Sequence, residues 1–291
     1  MPHKPPLAPV VALLNMKGGV GKTTISAHVM RVLYHRHRIK TLLVDLDPQF
    51  NLSQALVSRG TYDKLKDSNR TILTAMEPPP PIGLHDIKTS TSPPPKAEDI
   101  VKKLRYIRFS PVCLDLLPGD FRIVKYSMID NRGKLDIVQQ RFLRFIGESR
   151  KDYGLICIDC NPSSSFITSC ALHACTHIVV PVRPDRYSLL GLEILGDFID
   201  AIPTVNPKPE LIILLNGIRR QDEDSAVEYE LRAHHTFGPQ ALTNRLYYSR
   251  LLEATAGYTG FATDKPVPWR NLLKKEISAV VDELATRLGI T

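Results

Sequence analysis

The chain lacks any apolar run long enough to cross a bilayer. Its longest, such as Leu211–Leu215, are strand-sized, whereas a membrane-spanning helix needs about 20 apolar residues. The N-terminal MPHKPPLAP has no continuous apolar core of the kind a secretory signal carries. Cysteine is scarce, with five scattered through 291 residues, which excludes a disulfide framework. A cytoplasmic protein is the expectation. Acidic residues are also in deficit, 30 against 38 Lys and Arg, giving a net charge of +8 and a pI near 9.2. That balance favours a polyanionic partner, although alone it is a weak signal. Hydrophobic residues make up 43% of the chain, enough for a sizeable core.

Short β-branched or leucine-rich runs that end in polar residues recur: VVALLN (Val10–Asn15), TLLVDLD (Thr41–Asp47), LICIDC (Leu155–Cys160), HIVVPV (His177–Val182) and LIILLN (Leu211–Asn216). Unbroken apolar runs of this length fit strands buried on both faces, as in a parallel sheet. Helix-length amphipathic segments lie between several of them, among them Thr23–His35 and Leu189–Ile202. The alternation predicts a doubly wound α/β fold, mostly parallel, with helices on both faces and ligands bound outside the carboxyl ends of the strands. The chain is expected to be one domain over 1–291. A proline-rich excursion at about 61–99, carrying EPPPP and SPPP, reads as a partly extended surface segment.

One polar motif stands out. NMKGGVGKTTIS (Asn15–Ser26) follows a predicted strand and opens a predicted helix, the setting in which backbone N–H groups and a helix N-terminus cradle phosphate. It lacks the first glycine of the ordinary G-x-x-x-x-G-K-[ST] loop: Met16 stands there, and a second lysine, Lys17, precedes Gly18 and Gly19. Gly18, Gly19 and Gly21 let phosphates approach the backbone. Lys22 is expected to reach the β- and γ-phosphates and the Thr23 hydroxyl to hold Mg²⁺. The C-x-x-C formed by Cys157 and Cys160 is not read as a metal or redox site, because strand residues three apart point to opposite faces.

KGGVGKTT resembles the deviant Walker A motif of the ParA/MinD group of P-loop ATPases, and the likeness to short-form ParA proteins extends along the chain. The resemblance implies that Lys17 is the family's signature lysine, reaching the nucleotide of the other subunit in an ATP-bound homodimer. Its logic is that of an arginine finger, a device that contributes roughly 10³–10⁵ in rate. LLVDLDPQFNLS (Leu42–Ser53) is similar to the family's D-x-D-P-Q-G-N motif, which makes Asp47 the residue that positions the attacking water and sets Asp45 in the outer shell of the metal; Phe50 replaces the usual glycine. YGLICIDCNPSSS (Tyr153–Ser165) is similar to the family's Walker B, with Asp159 acting on the metal through water and Asn161 where a proline is usual. VVPVRPDRYSLLGLEIL (Val179–Leu195) looks like the family's segment near the dimer interface, and LLNGIRR (Leu214–Arg220) places Asn216 toward the adenine. The implied nucleotide-binding set is Lys17, Gly18, Gly19, Val20, Gly21, Lys22, Thr23, Thr24 and Asn216, with ATP and Mg²⁺ as cofactors.

The resemblance further implies non-specific binding to double-stranded DNA by the ATP-bound dimer, association with the nucleoid, and a ParB-like partner that stimulates hydrolysis. Candidate phosphate contacts are Arg219, Arg220, Arg245, Arg250, Arg270, Lys274 and Lys275. The alternative is a MinD-like or cargo-positioning ATPase acting on a membrane or a protein assembly. The last helix has an apolar row of Leu273, Ile277, Val280, Leu284 and Leu288, but Glu276, Asp282 and Glu283 make the rest unlike a membrane-surface helix. No membrane insertion is expected. An iron–sulfur reductase reading fails for want of a cysteine framework, and a non-hydrolysing adaptor fits poorly with the full set Lys17, Lys22, Thr23, Asp47 and Asp159.

Overall fold

The structure, a computed structural model, describes residues 7–161, 165–185, 187–253 and 260–290. Parts of three motifs above therefore lie outside the described residues: the first six residues, Pro162–Ser164 of the Walker B segment, and Arg186.

The strands are β1 (Val10–Leu13), β2 (Thr41–Asp45), β3 (Lys102–Tyr106), β4 (Cys113–Leu117), β5 (Leu155–Asp159), β6 (His177–Val182), β7 (Glu210–Ile218) and β8 (Leu246–Tyr247). They form one eight-stranded sheet in the order β3-β4-β2-β5-β1-β6-β7-β8. Every neighbouring pair is parallel except β3 with β4. The α-helices are α1 (Lys22–Thr24), α2 (Met30–Arg36), α3 (Asn51–Leu56), α4 (Arg59–Asp67), α5 (Ile72–Met76), α6 (Ala97–Ile100), α7 (Arg132–Asp152), α8 (Phe166–Ala174), α9 (Ser188–Asp200), α10 (Ala226–Ala233) and α11 (Arg270–Arg287). A π-helical turn, Ile25–Val29, joins α1 to α2 without a break.

Strands β1, β2, β4 and β5 are buried along their whole length, as expected of a parallel sheet covered on both faces. Side-chain alternation divides the core. Val10, Ala12 and Leu14 join one cluster with residues of α5, α7, α8 and α9. Val11 and Leu13 join the other with residues of α2, α3 and α11. Cys160 lies in the first cluster and Cys157 in the second, so the two thiols sit on opposite faces of the sheet. The apolar row of the last helix is buried, as its spacing implies. No described helix is long and apolar enough to cross a membrane.

The excursion is more structured than its lack of periodicity suggests. It includes most of α4 and all of α5, and then an extended run is tied down along its length. Buried Glu77 ion-pairs with buried Lys125 at 2.7 Å and accepts from Tyr126 Oη at 2.8 Å. Farther on, Arg141 donates to the Ser92 carbonyl at 2.6 Å. Strands β3, β4 and β8 carry no long apolar run that would announce them.

Topology sets the site. Strand β1 lies between β5 and β6, and the chain leaves β1 toward β2 on one side while β5 crosses to β6 on the other. The carboxyl ends of β1 and β5 thus flank a topological switch point, where ligands of open α/β sheets bind.

Candidate nucleotide site

The loop after β1 is braced from below. The Asn15 side chain donates to the Pro181 carbonyl at 2.8 Å, and its Oδ1 accepts the Lys17 amide at 2.8 Å. Asn216, at the far end of β7, donates to the Val20 carbonyl at 2.7 Å. Gly21 has φ 94°, a conformation that favours glycine, and a Cβ there would sit 2.3 Å from Asn216 Nδ2 and displace the amide that braces the loop. The described position of Asn216 thus supports the loop.

The two lysines are held differently. Lys22 is buried and bends back onto the loop, donating to the carbonyls of Asn15 (3.2 Å) and Lys17 (3.3 Å). Burial lowers its pKa, against the pull of Asp159. Lys17 points outward, half-exposed, and its ammonium pairs with Asp185 just before α9.

Three carboxylates converge opposite. Asp45 and Asp159 are register partners at the ends of β2 and β5. The Thr23 hydroxyl donates to Asp159 Oδ2 at 2.8 Å and Ser26 to Oδ1 at 2.9 Å. Burial pushes Asp159 up to about 6 while those two hydroxyls pull it back. Asp45 is fully buried and accepts from Ser53, through its amide at 2.8 Å and its hydroxyl at 2.6 Å. Burial, reinforced by the Asp159 charge, pushes Asp45 up to about 8. Asp47 is buried, accepts from the Gln49 amide at 2.8 Å, and has its pKa raised by burial. The oxygen-only donors Thr23 and Asp159 suit a hard cation such as Mg²⁺. Ser26, Ser53 and Asn15 were not singled out from the sequence. Ser26 could have been, since three residues after Thr23 it shares a helix face.

Beyond Asn216 lies an open cleft of about 750 Å³, lined in part by Arg183, Pro184, Gly217, Arg219 and Tyr248. The basic residues proposed for DNA divide. Arg220 pairs with Glu276 and lies 4.5 Å from the Tyr247 ring centroid. Arg245 is held by Asp224 at 3.1 Å and by buried Glu228 at 3.0 Å. Arg219, Arg250, Lys274 and Lys275 are exposed and Arg270 is half-buried.

A family model described as an AAA domain (AAA_31) matches residues 8–212. The chromosome partitioning protein ParA of Myxococcus xanthus is 30% identical over 77% of this chain and 71% of its own. The chain belongs to the ParA/MinD family of P-loop ATPases. Two solved structures show the same fold. A plasmid partition protein of Borrelia burgdorferi bound to AMPPNP superposes with TM-score 0.67 at 16% identity, covering 96% of this chain and 99% of that one. The pnob8 ParA superposes with TM-score 0.68 at 19% identity, covering 97% and 99%. For a ParA-type partition or positioning ATPase the division of labour between Lys17 and Lys22 is the informative feature, because the loop keeps one lysine inside and presents the other outward.

Proposed function

We propose that this chain is an ATP-driven molecular switch that dimerises on ATP, binds duplex DNA without sequence preference, and is reset by slow hydrolysis that a ParB-like partner stimulates. The opposite fates of the two lysines carry this reading. A single phosphate loop in isolation needs one buried lysine, and an outward-facing second lysine fits delivery of positive charge to a neighbouring nucleotide.

On this reading Lys22 exchanges the carbonyls of Asn15 and Lys17 for the β- and γ-phosphates, and regains a full set of charged partners. Thr23 would hold Mg²⁺ directly and Asp159 through water; the metal when bound neutralises charge on the phosphates. Asp47 orients the attacking water. Its raised pKa suits accepting the proton as the water oxygen bonds to the γ-phosphorus and the bond to the ADP oxygen breaks. Lys17 of the other copy stabilises the charge that develops on the transferring phosphoryl group. The cleft beside Asn216 has the volume of a ligand pocket, which supports assigning the base to it.

The test is binding to an arbitrary duplex with ATP–Mg²⁺ or ADP, using Asp47→Ala to suppress turnover. Binding with ATP alone is expected. With about six phosphate contacts, affinity should fall roughly 10³-fold between 50 and 200 mM salt. An ATP-dependent dimer with no affinity for DNA would remove the DNA arm of the reading.

A further inference from the structure

Two helices on one face of the sheet bring together a set of cations that the basic residues considered above include only in part. Arg31 and His35 lie one turn apart on α2, and Arg270, Lys274, Ser278 and Asp282 recur at four-residue spacing on α11, so each set shares a helix face. Arg36 and His37 both pair with Asp282, His37 at 3.4 Å, which sets that row of α11 against the end of α2. Burial lowers the His35 pKa, and the charges of Arg31, Lys274 and Arg38 add to that against Asp264. Arg38 directly follows His37, and Lys274 lies two turns before Asp282 on its row. Arg31 (3.0 Å) and Arg105 of β3 (2.9 Å) share one carboxylate, Asp264. Their guanidinium carbons also stand 5.7 and 5.0 Å from the Phe261 ring centroid. Arg31 Nε is buried without a hydrogen-bond partner.

The seam therefore sets Arg31, Arg36, Arg38, Arg105 and Lys274 against two carboxylates, Asp264 and Asp282. Arg38 and Lys274 are exposed and have no carboxylate partner among the described residues. By contrast, Arg220 and Arg245 are already neutralised by internal acids. We propose that the α2–α11 seam, with Arg38 and Lys274 as its free cations, is the surface that seats the phosphate backbone of duplex DNA; this rests on the DNA-binding reading above. A lipid surface fits less well. Interfacial helices present an apolar face to the acyl region, whereas the apolar row of α11 is spent on the sheet. Each chain carries a whole seam, so ATP acts by joining two weak sites into one bivalent particle.

The test compares Arg38→Asn/Lys274→Gln with Lys64→Gln/Lys66→Gln on exposed α4, both in the Asp47→Ala protein with ATP–Mg²⁺. Asparagine is chosen because Arg38 has φ 50°. For each seam seated on the duplex the seam variant should lower the log–log salt slope by about 1.8 and, at 0.1 M salt, the affinity roughly 50-fold. The α4 variant should match the parent, and both should still dimerise. Equal losses in the two variants, or none in the seam variant, would overturn the seam while leaving ATP-dependent DNA binding intact. A parent that shows no ATP-dependent DNA binding overturns both readings. A parent that binds phosphatidylglycerol vesicles in place of DNA overturns the choice of occupant.

Discussion

At the scale of the residue, Phe50 shows how a departure from a family pattern is absorbed. Its φ of 43° is left-handed, where the family's usual glycine is at ease; for phenylalanine this costs roughly 1–2 kcal/mol. The ring is stacked on Tyr62 with centroids 4.8 Å apart and planes within 2°, an arrangement that returns about 0.5–1.5 kcal/mol. Gly119 makes room, since a Cβ there would lie 2.7 Å from Phe50 Cβ, and its carbonyl accepts from Tyr62 Oη at 3.2 Å. The stack therefore fixes the turn that carries Asp47. Phe50→Gly should leave stability nearly unchanged but lower kcat on the order of tenfold with little change in KM. Tyr62→Ala should do the same, and the two losses should fail to add in steady-state ATPase assays. Additive losses would show that the rings act separately.

His28 offers a second test at this scale. It is buried, and burial lowers its pKa to about 4. Its Nδ1 accepts the Ala262 amide at 3.3 Å, a bond that needs the neutral ring. The unfolded chain takes up this proton near 6.5 and the folded one near 4, so between those values the unfolded state binds more protons. Stability should thus be full above about pH 6.5 and decline toward pH 4, at up to about 1.4 kcal/mol per pH unit from this group. Urea unfolding should show a shallower decline over that window in His28→Gln.

At the scale of the element, the excursion turns on one buried ion pair. Removing only Lys125, as in Lys125→Met, leaves Glu77 charged and buried, and should cost about 3–5 kcal/mol in chemical denaturation. Adding Glu77→Gln should recover much of the loss. A mild single effect with no recovery would mean that the pair does not hold the segment. The same pair explains what sequence could and could not reveal. Continuous apolar runs marked β1, β2, β5, β6 and β7, because a parallel strand buried on both faces has no polar alternation to confuse. The helical segments Thr23–His35 and Leu189–Ile202 are legible for the opposite reason, their amphipathic period. Strand β3 reads KKLRY, an edge strand with exposed Lys103 and Tyr106, so its composition gives little sign of a sheet. The excursion's order comes from contacts between Glu77 and Lys125 or Ser92 and Arg141, which are 48 and 49 residues apart. No local window holds that information. In the site, Lys17, Lys22, Thr23 and the three aspartates stood out because their motifs are contiguous. Asp185 did not, because its pairing with Lys17 spans 168 residues.

At the scale of the whole molecule, the proposed function makes this chain half of a device. Thr23, Asp47 and Asp159 stand together within one chain, while Lys17 projects from it and is neutralised by Asp185. On the proposed reading, dimerisation would trade that internal pair for contact with a second copy's nucleotide, and the charge that completes one site would come from the other chain. Sedimentation velocity tests this most directly, comparing Asp47→Ala with Lys17→Ala/Asp47→Ala in ATP–Mg²⁺ and in ADP, with nucleotide binding followed in parallel. The expected result is a dimer for Asp47→Ala with ATP only, and a monomer for the double variant even when it retains ATP. A double variant that dimerises with ATP as readily as its parent would contradict the trans role of Lys17.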